Sequence, residues 1–202
     1  MPVDLLPVAV VIPTRDRTAA LRRTLESLAH QSAQPAEVSI VDASADESTR
    51  SLCIERIPSL QSAVLWHSAD LPGAASQRNQ GVRDCSQPVI GFMDDDILFE
   101  PRCFARLWRA LHTEDRIGGV NAMITNQRYQ SPGRISQIVF RFLDDRPKSS
   151  YAGSVLGPAV NLLPEDSEDL PEVVPVEWLN TTCALYRREA LPDPPFPNHF
   201  KG

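Results

Sequence analysis

The sequence predicts an α/β protein with a mostly parallel β-sheet flanked by helices. Short apolar runs alternate with helix-like stretches through the first half of the 202 residues, and alternating strands and helices form parallel sheets with right-handed crossovers. The first run, residues 8–12, is unbroken and mostly β-branched, which is typical of a strand covered on both faces. Polar residues follow several of these runs, at the sheet edge where open α/β proteins bind ligands.

The elements of the first half follow from their apolar patterns. Strands are predicted over residues 8–12, 38–41, 64–66 and 88–93, and helices over 18–31, 46–57 and 74–84. The first helix is amphipathic, with leucines on one face and arginines on the other. Pro101 is predicted to open a further helix, at a first-turn position that needs no N–H donor. The apolar stripe of that helix consists of Phe104, Leu107, Trp108 and Leu111.

The pattern loosens beyond residue 118. A strand is predicted over residues 117–124, whereas 132–150 is ambiguous and is compatible with a short helix over 135–142. The acidic, proline-rich stretch 164–175 predicts a loop. Order resumes at 176–179, followed by a strand over 184–186 and a short helix over 187–191. The proline-dense tail, residues 192–202, carries no element of its own, and we therefore expect the C-terminal part of the domain to be missing.

The composition is that of an ordinary globular protein, with 42% hydrophobic and 23% charged residues. A net charge of −6 argues against a nucleic-acid partner. Four cysteines without paired spacing predict free thiols in a reducing compartment rather than a zinc or disulfide framework. The apolar runs are far shorter than the ~20 residues of a spanning helix, and no signal peptide is visible. We therefore expect no transmembrane segment and a cytoplasmic location.

Three consecutive aspartates, Asp94, Asp95 and Asp96, directly follow the apolar run 89–93. Carboxylates crowded at the end of a buried strand repel one another unless a cation or several donors share their charge. Side chains alternate along an extended chain, so Asp94 and Asp96 can face the same way with Asp95 turned aside. That spacing suits one hard divalent ion, Mn²⁺ or Mg²⁺, shared with a diphosphate. From the aspartates alone, a structural acidic turn is an equally good interpretation.

Further polar residues follow the first two strands. Arg15 and Arg17 suit a phosphate, and Asp42 suits a nucleobase or ribose. The glycine fingerprint of dinucleotide-binding folds is absent from the first turn, which argues against hydride transfer. Each residue also has a structural interpretation, as a solvated charge or a turn cap. Arg78 lies on the predicted third helix, where exposed polar residues are the default.

Five segments form an ordered set: VVIPTRDR (10–17), SIVDAS (39–44), GAASQRNQG (73–81), IGFMDDD (90–96), and VEWL (176–179) with CALYRREAL (183–191). Together they resemble the family 2 glycosyltransferases, whose GT-A fold is Rossmann-like. The resemblance covers nearly the whole chain. It implies one GT-A domain over residues 1–202, with the nucleotide-sugar donor half at 1–100 and a partial acceptor half at 101–202.

The resemblance also implies an activity, namely transfer of a sugar from a nucleotide-sugar donor to an acceptor hydroxyl with inversion. UDP- and dTDP-sugars are the expected donors. The acceptor, whether a glycan, a lipid-linked molecule or a protein, is left open, and attachment to the inner-membrane surface is an open alternative for the location. The implied donor-binding residues are Pro13, Thr14, Arg15, Asp42, Arg78, Asp94 and Asp95, with Asn79 supporting the loop of Arg78. The implied ligands of Mn²⁺ or Mg²⁺ are Asp94 and Asp96.

Two departures from the family pattern accompany the resemblance. Ala43 stands where relatives often carry a second acidic or amide residue. The general base of inverting relatives belongs to a Glu-Asp pair that follows a stretch much like Phe200-Lys201-Gly202, so we expect the base beyond Gly202. The alternatives are a non-catalytic nucleotide-sugar-binding protein and an inactive fragment. A sugar-phosphate nucleotidyltransferase ranks lower, because its glycine-rich, basic first loop is missing.

Overall fold

The computed structural model describes residues 3–55, 57–126, 133–143, 152–156, 160–162 and 171–197. The chain packs as two compact units, one formed by residues 1–122 with 180–202 and the other by residues 123–179. In the described part, no helix is both long and apolar enough to cross a membrane. All four cysteines are free thiols. The assignment of residues 1–100 and 101–202 to donor and acceptor halves stays a prediction.

Among the described residues, six strands form the sheet of the first unit and two short strands pair in the second unit. In chain order the strands are β1 (Asp4–Thr14), β2 (Ala33–Asp42), β3 (Ala63–Ser68), β4 (Val89–Met93), β5 (Gly119–Asn121), β6 (Val155–Leu156), β7 (Val160–Asn161) and β8 (Cys183–Arg187). The large sheet has the order β3-β2-β1-β4-β8-β5. Strands β3, β2, β1 and β4 are parallel, whereas β8 runs antiparallel to both β4 and β5. The predicted α/β class with a mostly parallel sheet is confirmed.

The helices supply the crossovers that parallel strands require. Helix α1 connects β1 to β2, α2 connects β2 to β3, and α3 connects β3 to β4, whereas α4 follows β4 and α5 lies in the second unit. Their bounds are α1 Thr18–Ala29, α2 Ser48–Ile54, α3 Ala74–Asp84, α4 Cys103–Leu111 and α5 Arg134–Leu143, and a 3₁₀ turn spans Arg188–Ala190.

The central strand β1 separates two apolar layers, because its side chains alternate between the faces of the sheet. Val10 belongs to the larger layer, which includes the buried leucines of α1 and α4. Val11 belongs to the smaller layer, together with Ile90 and Phe92 of β4. On that second face α3 approaches β1 so closely that a Cβ added at Gly81 would lie 2.3 Å from Cγ1 of Val11. Glycine therefore permits the close contact of this helix with the strand.

Several predicted elements are corrected by the structure. Pro101 does not open a helix: it precedes Arg102, whose φ is 66°, in a turn closed by the Cys103 N–H bond to the Glu100 carbonyl at 3.1 Å. Proline followed by a residue with positive φ is typical of a type II turn, so α4 begins at Cys103. The predicted strand 117–124 is shortened to β5, residues 176–179 lie in irregular backbone, and residues 188–190 form a 3₁₀ turn. Much of the predicted loop 164–175 lies outside the described residues.

Candidate functional site

The carboxyl ends of the parallel strands bring the candidate residues to one edge of the sheet. Thr14 at the end of β1 pairs in register with Asp42 at the end of β2. Asp94 directly follows β4, the neighbour of β1 on its other side, and its N–H donates to the Thr182 carbonyl at 3.1 Å. Residues from the first turn, the end of β2 and the aspartate run therefore share this edge, as open parallel sheets require of a ligand site.

Asp95 is the buried member of the aspartate run, with 4% of its surface exposed. Its Oδ2 accepts a hydrogen bond from Thr14 Oγ1 at 2.7 Å, and its Oδ1 accepts one from Arg17 Nη1 at 2.8 Å. Thr24 Oγ1 donates to the Asp95 backbone carbonyl at 2.9 Å. Burial raises the pKa of Asp95, while the Thr14 hydrogen bond and the Arg17 charge oppose that rise. Asp95 is thus tied into the protein and holds the turn in place.

Arg17 links two of the three aspartates. Its Nη2 lies 2.6 Å from Asp96 Oδ2, in addition to its bond with Asp95. The hydrogen bond to Asp96, followed by the charge of Asp95, raises the pKa of Arg17. The Arg17 side chain is 51% exposed and that of Asp96 is 46% exposed, so both groups are within reach of a ligand from solvent.

Arg78 binds the remaining aspartate, Asp94. Its Nη2 donates to Asp94 Oδ1 at 2.6 Å, and only 9% of its surface is exposed. Burial lowers the pKa of Arg78, and the charge of Asp94 opposes that effect. The buried Nε has no hydrogen-bond partner within the described residues. Buried donors are usually paired, so this Nε is free to bind a group from outside the protein, either water or a ligand.

Helix α3, which carries Arg78, turns a polar face toward the sheet. Its buried residues are Gln77, Arg78, Asn79, Gln80 and Gly81, and the expectation of an exposed polar surface is therefore wrong for this stretch. Gln77 Nε2 donates to the backbone carbonyls of Thr14 at 3.0 Å and Val41 at 2.7 Å. These bonds tie α3 to the backbone at the ends of β1 and β2, and the Thr14 carbonyl also accepts from the Ala43 N–H at 2.9 Å. The sequence feature that could have indicated this burial is that the predicted helix has no apolar stripe.

Asp42 is buried, and both of its carboxylate oxygens have protein donors. Oδ2 accepts from Trp66 Nε1 at 3.1 Å, and Oδ1 accepts from the Ser44 N–H at 2.9 Å. Arg50 lies over the Trp66 ring, with its Cζ 5.2 Å from the centroid. Because each carboxylate oxygen can accept more than one hydrogen bond, these contacts orient Asp42 and leave capacity for a ligand donor. The sequence alone does not identify Trp66 as the partner of Asp42.

Pro13 and Arg15 flank Thr14 at the same edge. Pro13 lies opposite Val41 in the β1–β2 ladder. The Arg15 side chain is 67% exposed, and its Nε lies 3.6 Å from Asp16 Oδ2. Arg17, rather than Arg15, is therefore the arginine of this turn that binds the aspartate run.

The donor set of the aspartate run fits a hard divalent cation. Asp94 and Asp96 offer carboxylate oxygens, which Mg²⁺ and Mn²⁺ prefer, and both are more exposed than Asp95. Across the described residues, no group of three or more histidine, cysteine or acidic side chains is arranged to hold a metal ion. Magnesium sites that share substrate phosphates use only one or two protein carboxylates and several waters. The residues present therefore match a shared site and not a closed protein cage.

A family model described as glycosyl transferase family 2 matches residues 9–193. The chain belongs to this family. All site residues described above lie within the matched region, from Pro13 to the aspartate run and beyond it to β8.

Curated relatives align with about half of this family 2 chain. A validoxylamine A glucosyltransferase of Streptomyces hygroscopicus subsp. limoneus is 33% identical over 96 residues, which cover 46% of this chain and 21% of that protein. An uncharacterised glycosyltransferase of Haemophilus influenzae is 33% identical over 93 residues, which cover 46% of this chain and 30% of that protein. The matched part of the chain thus spans less than a third of the length of either relative.

The fold is that of GT-A glycosyltransferases. A mannosyltransferase from Pyrobaculum calidifontis, solved in complex with GDP-Man and Mn²⁺, superposes with a TM-score of 0.54 at 18% identity. The match covers 94% of this chain and 48% of that structure. The predicted GT-A architecture is confirmed at the level of the fold.

Proposed function

We propose that this family 2 chain transfers a sugar from a nucleotide-sugar donor to an acceptor hydroxyl. The observation that carries the proposal is the convergence of Arg17 and Arg78 on the aspartate run at the carboxyl edge of the sheet. Two guanidinium groups beside three carboxylates can bind both parts of a metal–diphosphate complex. The guanidinium groups bind the phosphate oxygens, and the carboxylates bind the metal ion.

The donor would lie along the ends of β1 and β2. Pro13, Thr14 and Arg15 line the nucleotide pocket in this proposal, and Asp42 accepts a hydrogen bond from the base. Uracil and thymine each carry an N3–H donor that suits a carboxylate, which is compatible with the UDP- or dTDP-sugars that the family resemblance implies. Trp66 and Ser44 hold Asp42 in place through its two oxygens, so its orientation is set before the base binds.

Asp94 and Asp96 would hold the metal, Mn²⁺ or Mg²⁺, together with phosphate oxygens. When bound, the ion stabilises negative charge on the departing nucleoside diphosphate. Arg17 shares its guanidinium between Asp95 and Asp96, and in this proposal it exchanges its bond with Asp96 for one with the diphosphate. Arg78 stays beside Asp94 and offers its remaining donors to the same phosphates. The proposed outcome is inversion at the anomeric carbon, in line with the family resemblance.

The test is thermal unfolding with UDP, dTDP and GDP, each with Mn²⁺. A ligand at about 100 times its Kd stabilises by about 2.7 kcal/mol, which corresponds to a rise in Tm of roughly 5–10 °C for a chain of this size. Asp96→Ala is expected to abolish the rise. The matched control Asp115→Ala removes an exposed aspartate from a turn away from the site and should keep it.

The outcomes separate the alternatives. Stabilisation by UDP or dTDP that depends on Mn²⁺ and on Asp96 supports the donor site. Binding without sugar transfer to glycan, lipid-linked or protein acceptors supports one of the two alternatives, a non-catalytic nucleotide-sugar-binding protein or an inactive fragment. Absence of stabilisation by all three nucleotides would contradict the proposal.

A further inference from the structure

We propose that Phe196 and Asn79 are positioning residues that hold the Arg78 guanidinium against Asp94. The inference rests on the proposed role of Arg78 in binding the diphosphate. It gives a role to the segment after β8, which the sequence pattern predicts to be a tail without secondary structure.

Asn79 fastens Phe196 through both of its amide atoms. Its Nδ2 donates to the Phe196 carbonyl at 2.8 Å, and the Phe196 N–H donates to its Oδ1 at 2.9 Å. The two residues are 117 positions apart in sequence. An amide that pairs with both backbone groups of one residue sets the position and the direction of that residue, much as a strand neighbour does.

The Phe196 ring lies between the strand that leads to the aspartates and the arginine itself. It packs edge-on against Phe92 of β4, with centroids 5.0 Å apart and an interplanar angle of 78°. The Arg78 Cζ lies 5.8 Å from the Phe196 centroid. Phe92 stands two positions before Asp94 in the chain, so one ring contacts the elements that carry both members of the Arg78–Asp94 pair.

Arg78 depends on such support because it is buried and incompletely hydrogen-bonded. Its Nε has no hydrogen-bond partner among the described residues, while its Nη2 binds Asp94. An aromatic face attracts a desolvated guanidinium and limits its rotation. An arginine side chain held in its binding geometry loses less conformational freedom when a phosphate arrives. Asn79 directly follows Arg78 in α3. The residue that holds Phe196 and the guanidinium that Phe196 contacts are therefore neighbours on the same helix.

Phe196→Leu tests the inference by isothermal titration with UDP and Mn²⁺. Loss of the ring is expected to weaken UDP affinity roughly 3- to 30-fold, the range of a partly to fully desolvated cation–π contact. Phe196→Tyr keeps the ring and should retain wild-type affinity. Tyr186→Leu is the matched control, because Tyr186 also packs on Phe92, with centroids 5.8 Å apart. It removes a ring from the same partner and should leave UDP affinity within about 2-fold.

A double-mutant cycle with Arg78→Gln distinguishes this inference from the proposed function. Unchanged UDP affinity in Arg78→Gln would refute the role of Arg78 in the donor site. If Arg78→Gln weakens binding but Phe196→Leu does not, the positioning role fails. The role also fails if the two losses add fully in the double variant, because a ring that acts through Arg78 has no effect once the guanidinium is gone.

Folding is checked by Tm for every variant. Should Phe196→Leu fail to fold, Asn79→Ala decides, because it removes both hydrogen bonds to Phe196 without adding a charge beside the proposed diphosphate site. Weakened UDP binding in Asn79→Ala supports the inference, and wild-type affinity overturns it.

Discussion

Gly81→Ala probes the close approach of helix α3 to strand β1. A Cβ at Gly81 would lie 2.3 Å from Cγ1, 3.0 Å from Cγ2 and 3.2 Å from Cβ of Val11. Carbon atoms in ordinary contact are ~3.5–4.0 Å apart, so the first distance is too short by more than about 1 Å. Rotation of the Val11 side chain does not relieve the clash, because both methyl groups and the Cβ itself are close. Either α3 or β1 must move.

The expected net effect is destabilisation by about 2 kcal/mol. Overpacking of a closed core costs ~1–3 kcal/mol, and Val11 lies fully buried in the central strand, which favours the upper end of that range. Alanine improves helix propensity by up to ~1 kcal/mol over glycine and offsets part of the cost. For a chain of this length, about 2 kcal/mol lowers Tm by roughly 4–8 °C.

Urea unfolding and calorimetry of four proteins measure the effect: wild type, Gly81→Ala, Val11→Ala and the double variant. The cost of Gly81→Ala should largely disappear in the Val11→Ala background, where both methyl groups are gone. Gly133→Ala is the control, because an added Cβ there meets nothing within 4 Å, and its stability should change by less than about 0.5 kcal/mol. The reasoning is refuted if Gly81→Ala is as stable as wild type, or if its cost persists without the Val11 methyl groups.

Two further predictions concern charge and thiol chemistry. Arg17→Gln should bind Mn²⁺ alone several-fold more tightly than wild type in a titration without nucleotide, because it removes a cation that pairs with Asp95 and Asp96; equal or weaker binding would argue against competition at Asp96. Burial raises the pKa of Cys53 to about 12, so the thiol stays protonated at pH 8 and the nucleophilic thiolate is scarce. Iodoacetamide should alkylate Cys53 far more slowly in the native protein than in urea, as measured by peptide mass spectrometry. Similar rates in the two states would contradict the protection of this thiol by burial.

The sequence reveals most of the parallel core because the relevant signals are local. The β-branched run at residues 8–12 lies within β1, and the predicted limits of α3 are those of the structure. Direction is not a local property. The apolar run at 184–186 marks a strand correctly, but its antiparallel pairing with β4 depends on the path of the chain between them. Pro101 shows the same limit, since proline is compatible with both a helix start and the turn that forms.

The candidate site also has features that the sequence predicts and features that only the structure reveals. Residue types and their order along the chain, from Thr14 to the aspartate run, are enough to predict the family. They are not enough to predict which of these side chains contact one another. The hydrogen bond from Arg17 to Asp96 joins residues 79 positions apart, and the hydrogen bonds between Asn79 and Phe196 join residues 117 positions apart.

The sequence by itself determined the alternation of strands and helices, the acidic run at a strand end and the family, because these depend on neighbouring residues. Tertiary structure decided which arginine binds which aspartate, that the polar face of α3 is buried, and that Phe196 lies against Arg78. Hydrogen bonds and ring contacts act over a few ångströms in space, and only the packed sheet brings groups so distant in the chain within that range.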